Sequence, residues 1–483
     1  MRLKELLKSI QSTYSAALNT EQEILGLSLN SKEVQTGFLF VAVKGTQVDG
    51  HFFIESAFAN GAVAVIAEDN PGNDDRIITV EDSSKTLSLL AASFFNNPVE
   101  ELKLVGVTGT NGKTSVCTLL FDLFKNLGYK VGLLSTVEIR INEVVLPATH
   151  TTPDAISLNK YLRQMCDAGC DYCFMECSSH AIEQNRVYGL PFHVAVFTNI
   201  THDHLDYHIT FDNYIRAKKK LFDNLSDNSY ALVNKDDKHA MVMLQNSKAA
   251  KFTYALNHPA DFHAKIIEAD FNAMLLSINE IEAWYFLVGK FNASNLLAVF
   301  GTAFLLGLSQ QEIINTLSKV KPVKGRFEII RSADKRVAIV DYAHTPDALK
   351  NILQSINELR SKNETLITVI GCGGDRDKEK RSEMGAIAAK LSDKVIFTSD
   401  NPRYENPEQI IRELESGVPA QYFKKTLSIS DRYQAIKTAV GLSKKLDIIL
   451  IAGKGHENYQ EIQGVKHPFN DSITISNLFN QLT

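Results

Sequence analysis

The sequence predicts an α/β protein built as three domains, and three observations carry that prediction. Length is the first: 483 residues are about three times the usual domain size. The second is an alternation along the chain of short apolar runs with longer amphipathic stretches, the pattern of parallel strands and the helices that cover them. The third is a glycine-rich turn, GVTGTNGKT at 106–114, between a strand-like run and a helical pattern.

The first unit, 1–98, opens with MRLKELLKSIQSTYSA, which reads as a short amphipathic helix. It has neither the apolar core nor the cleavage site of a secretory signal. Runs at 38–43, 62–67 and 76–80 read as strands, with a helical segment between the first two. A helix over 87–95 is broken by Asn96-Asn97-Pro98, which completes a small α/β domain. The second unit, 99–321, begins with a buried-type strand at 102–105. After the glycine-rich turn, Val116, Leu119, Leu120, Leu123, Phe124 and Leu127 fall on one helical face. Strands at 131–135, 172–176 and 194–197 alternate with helices, which predicts a mostly parallel P-loop-type sheet with its ligands at the strands' carboxyl ends. Residues 262–288 alternate partly and read as antiparallel β structure, followed by a helix over 292–306. The third unit, 322–483, has short apolar strands at 337–340, 366–370, 395–397 and 448–451. Helical stretches at 346–360, 379–391, 407–416 and 429–445 lie among them. This is a Rossmann-like open sheet, and it lacks the strict dinucleotide glycine fingerprint, so NAD is not expected.

Composition excludes several classes. With 51 basic and 56 acidic residues the net charge is −5, which gives no general attraction to nucleic acid or anionic membrane. No apolar run reaches the roughly 18 residues of a membrane span, and a cytoplasmic location is expected. Four of the six cysteines, Cys166, Cys170, Cys173 and Cys177, fall as C-x3-C-x2-C-x3-C, which is not a usual zinc or iron–sulfur spacing. Cys173 and Cys177, beside Phe174 and Met175, read as small core residues.

The turn carries the chemistry. Gly109 and Gly112 let backbone amides turn inward around phosphate oxygens, and the helix that follows adds its positive end. Lys113 can reach the β- and γ-phosphates and Thr114 can ligate magnesium, although Val107 stands where the strict P-loop pattern has glycine. Glu176, ending a strand of the same sheet, suits a magnesium site, and alone it reads equally as a loop acid. The run THDHLDYH at 201–208 is dense in histidine and aspartate without a zinc signature, so it reads as a polar loop near a site. Lys218 shares an apolar helical face with Tyr214, Leu221 and Phe222, while Lys219 points elsewhere. A buried lysine loses its proton readily and becomes nucleophilic, whereas the commoner outcome is a stem on the core with its head in water.

The loop TGTNGKT at 108–114 resembles that of the Mur ligases and folylpolyglutamate synthases. Further ordered matches are Thr151-Thr152, MECSSH at 175–180, Gln184 with Arg186, HDHLDYH at 202–208 and AK at 217–218. They continue with NxxN at 292–295, GRFE at 325–328, DYAHTPD at 341–347, GCGGDRDKEKR at 371–381, DNPR at 400–403 and GKGHE at 453–457. From end to end the chain resembles a Mur ligase, most closely the members that use ATP to add meso-2,6-diaminopimelate to UDP-N-acetylmuramoyl-L-alanyl-D-glutamate in peptidoglycan precursor synthesis. The resemblance implies that Gly109, Thr110, Asn111, Gly112, Lys113, Thr114 and Ser115 bind ATP together with Asn292, Asn295, Arg326, Asp341 and His344. It implies Mg²⁺ held by Thr114, Glu176, His204 and a carbamylated Lys218 (N6-carboxylysine), with Lys113, Lys218 and His204 catalytic. Ser31, Thr151, Thr152, Ser178, Gln184 and Arg186 would hold the UDP-muramoyl dipeptide; Ser31 lies in Asn30-Ser31-Lys32, where the family often has Asp-Ser-Arg. Arg376, Asp400, Asn401, Pro402, Arg403, Gly453 and Glu457 would surround diaminopimelate, Arg403 forking its distal carboxylate and Glu457 pairing the distal ammonium. Lysine would leave Arg403 unpaired, a penalty of about 10⁴-fold or more. Taken alone, DNPR reads as evenly as an Asn-Pro turn. The implied chemistry is an acyl phosphate attacked by an amine, with closure of the third domain excluding water. A monomer is expected. The rivals are the same ligase with L-lysine, a folylpolyglutamate synthase, and a P-loop ATPase or nucleotide switch that forms no bond.

Overall fold

The structure is a computed structural model that describes residues 1–45, 48–361 and 363–482. The first domain holds a four-stranded parallel sheet in the order Gly26–Ser28, Phe38–Val41, Ala62–Ala67, Ile77–Thr79. The helix Ser83–Phe94, capped by Asp82, packs Leu87, Leu90 and Ala91 on this sheet. The expected helix over 1–16 is shorter, Leu3–Leu7. Leu3, Leu6 and Leu7 fill its apolar face, Ser9 Oγ donates to the Leu6 carbonyl at 2.7 Å, and the chain then extends so that Thr13 pairs with Thr79.

The central sheet has eleven strands, with Lys103–Thr108 between Tyr172–Glu176 and Val194–Phe197, all parallel. Successive side chains of that strand alternate: Leu104 enters one apolar core, Val105 and Val107 the other. Helices Lys113–Asn126 and Lys290–Leu305 cover one face, and Ala155–Asp167 with Phe211–Asp223 cover the other. The antiparallel β structure expected near 262–288 is Phe262–Ala269, Met274–Ile278 and Ile281–Tyr285. It extends the same sheet, because Ala250–Ala255 pairs in parallel with Phe262–Ala269. Cys117, Cys173 and Cys177 are buried in the two cores, as core residues should be.

The third domain's six-stranded sheet runs Glu328–Arg331, Val337–Asp341, Ile448–Ala452, Leu366–Ile370, Lys394–Phe397, Thr426–Ser428. Only its first pair is antiparallel. Helices Pro346–Leu359, Glu379–Leu391 and Pro407–Ser416 cover one face, Arg432–Leu442 and Asp471–Asn480 the other. A hairpin of Tyr459–Ile462 and Val465–Pro468 stands beside the sheet. Val288, from the second domain's chain, is buried in the third domain's apolar core, and the rings of Phe291 and Phe327 meet at 5.6 Å across the same seam.

Candidate active site

The loop after Lys103–Thr108 turns because two residues adopt backbone that side chains resist. Gly109 has φ 155° and Gly112 φ 89°. A Cβ on Gly109 would lie 1.9 Å from Thr198 Oγ1, and one on Gly112 2.6 Å from Asn295 Oδ1. Val107 is an ordinary strand residue opposite Val196, so no glycine is needed there. The loop is braced from the next strand's end: Asn111 N donates to Asn199 Oδ1 at 2.9 Å and Thr198 Oγ1 to the Asn111 carbonyl at 2.6 Å.

Lys113 Nζ folds back onto the carbonyls of Gly109 (2.8 Å) and Thr110 (2.9 Å). Lys218, 1 % exposed, donates to the same Gly109 carbonyl at 2.9 Å, with Nζ 4.6 Å from the Tyr214 ring centroid. Two ammonium groups thus share one oxygen. Burial, and then the charge of Lys113, pushes Lys218 well below the ordinary lysine range. Lys219, expected to point away, is also buried: its stem lies on the core and its head returns one turn on to Asp223.

Glu176 is 1 % exposed, which removes the loop-acid reading. Its partners are neutral: Thr114 Oγ1 at 2.9 Å, Thr136 N at 2.8 Å and Thr136 Oγ1 at 3.2 Å. His204 sits in the left-handed region, φ 54°, facing His180 edge-on at 4.8 Å with Nε2 3.5 Å from Asp203; desolvation lowers its imidazole below the ordinary range, against the pull of Asp203. Thr114, Glu176 and His204 line one cavity, with Lys218 buried behind the loop at the Gly109 carbonyl.

Three cavities surround this region, and the first two share Asn111, Gly112, Ser115, Arg326 and Tyr342. One of about 380 Å³, between the second and third domains, is lined by Asn111, Gly112, Ser115, Asn295, Arg326 and Asp341. Arg326 crosses the seam, its Nη2 3.1 Å from Thr114 Oγ1 and its guanidinium 4.5 Å from the Tyr342 ring centroid. Asp341 accepts from Phe327 N at 2.7 Å, and burial raises its carboxyl to about 6. His344 Nδ1 faces the Tyr342 carbonyl at 2.9 Å and therefore carries the proton; burial lowers the ring to about 4. Asn292 does not line this cavity: it bonds the Val288 carbonyl at 2.9 Å and supports Asn295 from behind.

A second cavity, about 240 Å³, runs from Thr110, Lys113, Thr114, Thr151, Glu176 and His204 to Arg376, Asp400, Asn401, Arg403, Gly453 and Glu457. Arg403, with φ 48°, already donates from Nη1 to the Gly374 carbonyl at 2.6 Å, and Nε lies 3.6 Å from Glu461. Its fork is therefore partly committed to the protein. Glu457 accepts from Asn401 Nδ2 at 2.8 Å and from the fully buried Lys454 at 2.9 Å. Lys454 also lies 3.7 Å from Asp400, so two carboxylates face one ammonium. Gly453, φ 114°, is required because a Cβ would stand 2.4 Å from Asp400 Oδ2. Pro402 is buried between Asn401 and Arg403 and does not line the cavity.

The third cavity, about 1100 Å³, lies between the first and second domains and is lined by Asn30, Ser31, Lys44, Gln184, Arg186 and Tyr207. Arg186 donates to Gln184 Oε1 and to the Thr152 carbonyl (2.9 Å), and Gln184 Nε2 lies 3.1 Å from Tyr207 Oη. Thr152 Oγ1 donates to the Glu176 carbonyl at 2.7 Å and accepts from Ser178 N at 3.0 Å. Thr151 accepts from Thr136 Oγ1 at 3.0 Å, and Ser178 caps the helix Ser179–Glu183. The dipeptide-type residues are thereby tied to the strand end that carries Glu176.

Comparison with known proteins finds three family models in chain order. They are the Mur ligase family catalytic domain at 23–95, the Mur ligase middle domain at 107–303, and the Mur ligase glutamate ligase domain at 325–455. The chain belongs to the Mur ligase family. Among its relatives are UDP-N-acetylmuramoyl-L-alanyl-D-glutamate--2,6-diaminopimelate ligases from Cytophaga hutchinsonii and Bacteroides thetaiotaomicron. The first is 51 % identical over 100 % of both chains, the second 50 % identical over 99 % of this chain and 100 % of its own. A solved structure of a ligase with that same name is 32 % identical, with TM-score 0.70, covering 100 % of this chain and 99 % of its own. The fold is shared more widely: a MurF ligase from Thermotoga maritima in complex with ADP is 22 % identical with TM-score 0.62, covering 95 % of this chain and 97 % of its own.

Sequence reasoning missed several residues that this Mur ligase places at its site. Asn199 and Thr198 brace the glycine-rich loop, Lys454 pairs with Glu457, and Tyr207 holds Gln184. Asp237, Asn257 and Lys290 line the cavity between the second and third domains. GKGHE and HDHLDYH contain Lys454 and Tyr207, so the motifs were the available signal; Thr198, Asn199, Asp237 and Asn257 lie on loops and Lys290 opens a helix, all outside any motif.

Proposed function

We propose that this Mur ligase uses ATP to join meso-2,6-diaminopimelate to the D-glutamyl carboxylate of UDP-N-acetylmuramoyl-L-alanyl-D-glutamate, in peptidoglycan precursor synthesis. One observation carries the reading: a single cavity has Lys113, Thr114 and Glu176 at one end and Arg376, Arg403 and Glu457 at the other. Phosphate chemistry and a doubly charged amino acid therefore share one space. The full-length relatives with that activity in their names support it.

In this reading the first domain (1–98) holds the UDP end, the second (99–321) the phosphates and acceptor, and the third (322–483) the amino acid. Lys113 and Arg326 offset the charge of the γ-phosphoryl group as a D-glutamyl oxygen bonds to phosphorus and the bond to ADP breaks. Thr152, Ser178, Gln184 and Arg186 orient the acceptor. The free amine of diaminopimelate then attacks the acyl carbon, a C–N bond forms, and phosphate leaves with the C–O electron pair. Thr114, Glu176, His204 and a carbamylated Lys218 would hold Mg²⁺, which supplies charge neutralisation at the phosphates. Carbamylation suits the site because burial and Lys113 favour the neutral amine of Lys218, which adds carbon dioxide, forms an N–C bond and releases a proton to leave an anion beside Lys113. Arg403 and Arg376 take the carboxylate of the distal centre. Asp400 and Glu457 against Lys454 leave one negative charge for the distal ammonium. Among the described residues no helix is long and apolar enough to cross a membrane, and we place the enzyme in the cytoplasm as a monomer acting on small molecules, not nucleic acid.

The test is phosphate release from ATP with UDP-N-acetylmuramoyl-L-alanyl-D-glutamate, comparing meso-diaminopimelate with L-lysine and weighing the product. Release only with diaminopimelate, with the tripeptide mass, is expected. Turnover of lysine instead would discard the amino-acid assignment. No amino-acid-dependent release would leave an ATPase or switch.

A further inference from the structure

We infer that Glu405 and Arg381 are positioning residues for the amino acid: together they clamp the loop 373–376 to the loop 400–403 and so set where Arg376 and Arg403 stand. The inference rests on the reading of that pocket given above. Neither residue lines the cavity.

Arg381, on the helix Glu379–Leu391, is 0 % exposed, a place that a guanidinium tolerates only when its charge is paired; both Nη atoms are bonded, while Nε has no partner. It grips Glu405 bidentately, with Nη1 to Oε2 and Nη2 to Oε1 both 2.9 Å. Its Nη2 also donates to the Gly373 carbonyl at 3.1 Å. Glu405 Oε1 accepts in addition from Asp375 N at 2.6 Å. One ion pair therefore holds the loop at two points, Gly373 through Arg381 and Asp375 through Glu405, with Arg376 next in the chain.

A second seam runs parallel to the first. Gly374 N donates to the Asn401 carbonyl at 2.8 Å, Arg403 Nη1 to the Gly374 carbonyl at 2.6 Å, and Tyr404 N to Asp375 Oδ2 at 3.2 Å. The approach is tight enough that a Cβ on Gly374 would lie 2.0 Å from the Pro402 carbonyl oxygen. Asp375 (φ 52°) and Arg403 (φ 48°) are both left-handed, a backbone that residues other than glycine keep only where their surroundings impose it. The hydrogen bonds from Arg381 hold the Glu405 carboxyl down at about 2, so the clamp stays charged at any working pH. Glu413 provides an internal control: it pairs with the same Arg381 at 2.6 Å, and its other bond, from Gln409 Nε2, lies within its own helix rather than on either loop.

The experiment measures KM for each of the three substrates, kcat, and the diaminopimelate-to-lysine preference in Glu405→Gln, Glu413→Gln and Arg381→Lys, with Tm alongside. Glu405→Gln should raise KM for diaminopimelate about tenfold or more, because small displacements of a positioning group are amplified in this way. KM for ATP and for the UDP-dipeptide should stay put, and the preference over lysine should narrow. Glu413→Gln should lower Tm without moving any KM. Arg381→Lys, which keeps the charge and loses the fork, should repeat the Glu405→Gln pattern and serves if that variant does not fold. The inference falls if diaminopimelate KM is unchanged in both clamp variants, or if Glu413→Gln shifts it equally. Failure of the wild-type enzyme to use any amino acid is a different result: it removes the reading of the pocket, and this inference with it.

Discussion

The two ends of the catalytic cavity are built by opposite means. At the phosphate end, residues 109–115 supply the turn, the amides, the helix terminus and the lysine from one contiguous stretch. At the end we propose for the amino acid, loops 373–376, 400–405 and 453–461 converge from separate strand ends of the third domain. A phosphate presents oxygens on all sides and is satisfied by local backbone. A diamino dicarboxylate needs charges of both signs at set distances, and only convergent loops provide them.

Four experiments would break or sharpen this contrast. The largest effect belongs to the phosphate end. Lys113→Ala or Glu176→Gln should lower kcat by about 10³-fold or more while leaving diaminopimelate affinity intact by calorimetry, since both groups act on developing phosphoryl charge. Arg403→Ala should instead raise diaminopimelate KM about 100-fold with a smaller change in kcat; a fall in kcat alone would erase the distinction between the two ends.

A pH experiment comes next. Burial lowers His344 and His208 to about 4 in the folded protein, against about 6.5 when unfolded. Both are neutral in either state above pH 6.5. Between 6.5 and 4 the unfolded chain takes up the protons first, so acidification through that window favours unfolding. Tm should fall as pH drops from 6.5 to 4, and His208→Gln should flatten that limb; an unaltered slope would deny that His208 is buried neutral beside Ser179.

The smallest effect concerns strain. Ile209, 79 % exposed, follows the HDHLDYH segment at φ 66°, an outlier for a β-branched residue. Ile209→Gly should relieve about 1 kcal/mol net and raise Tm by about 2 °C. A lower Tm would mean that the isoleucine is held by contacts at the phosphate end, as Asp375 and Arg403 are at the other.

The same contrast explains what could be read from the chain. Strands such as Ile448–Ala452 and Leu366–Ile370 are buried on both faces, so they appear as apolar runs, interrupted in the second only by Thr368. The hairpin Glu138–Ile141 and Val144–Pro147 lies at the sheet edge with its second strand mostly exposed, and it leaves no such signature. The phosphate loop is legible because its parts are neighbours in sequence. Asn199, 88 residues from Asn111, and Lys454, 53 from Asn401, become partners only through the fold. Lys219 does point elsewhere than Lys218, but its burial is not legible from spacing: a long aliphatic stem can lie flat and bring its charge to Asp223.

The burial of Val288 in the third domain's core sets an order of events on the ribosome. The last strand of the central sheet, Ile281–Tyr285, emerges before any of the strands that will cover Val288 and Phe291. Domains fold as they are made, amino-terminal first, so a nascent chain presents a finished phosphate loop with bare apolar residues at its trailing edge. That edge is covered only when the strands of the third domain have also been made.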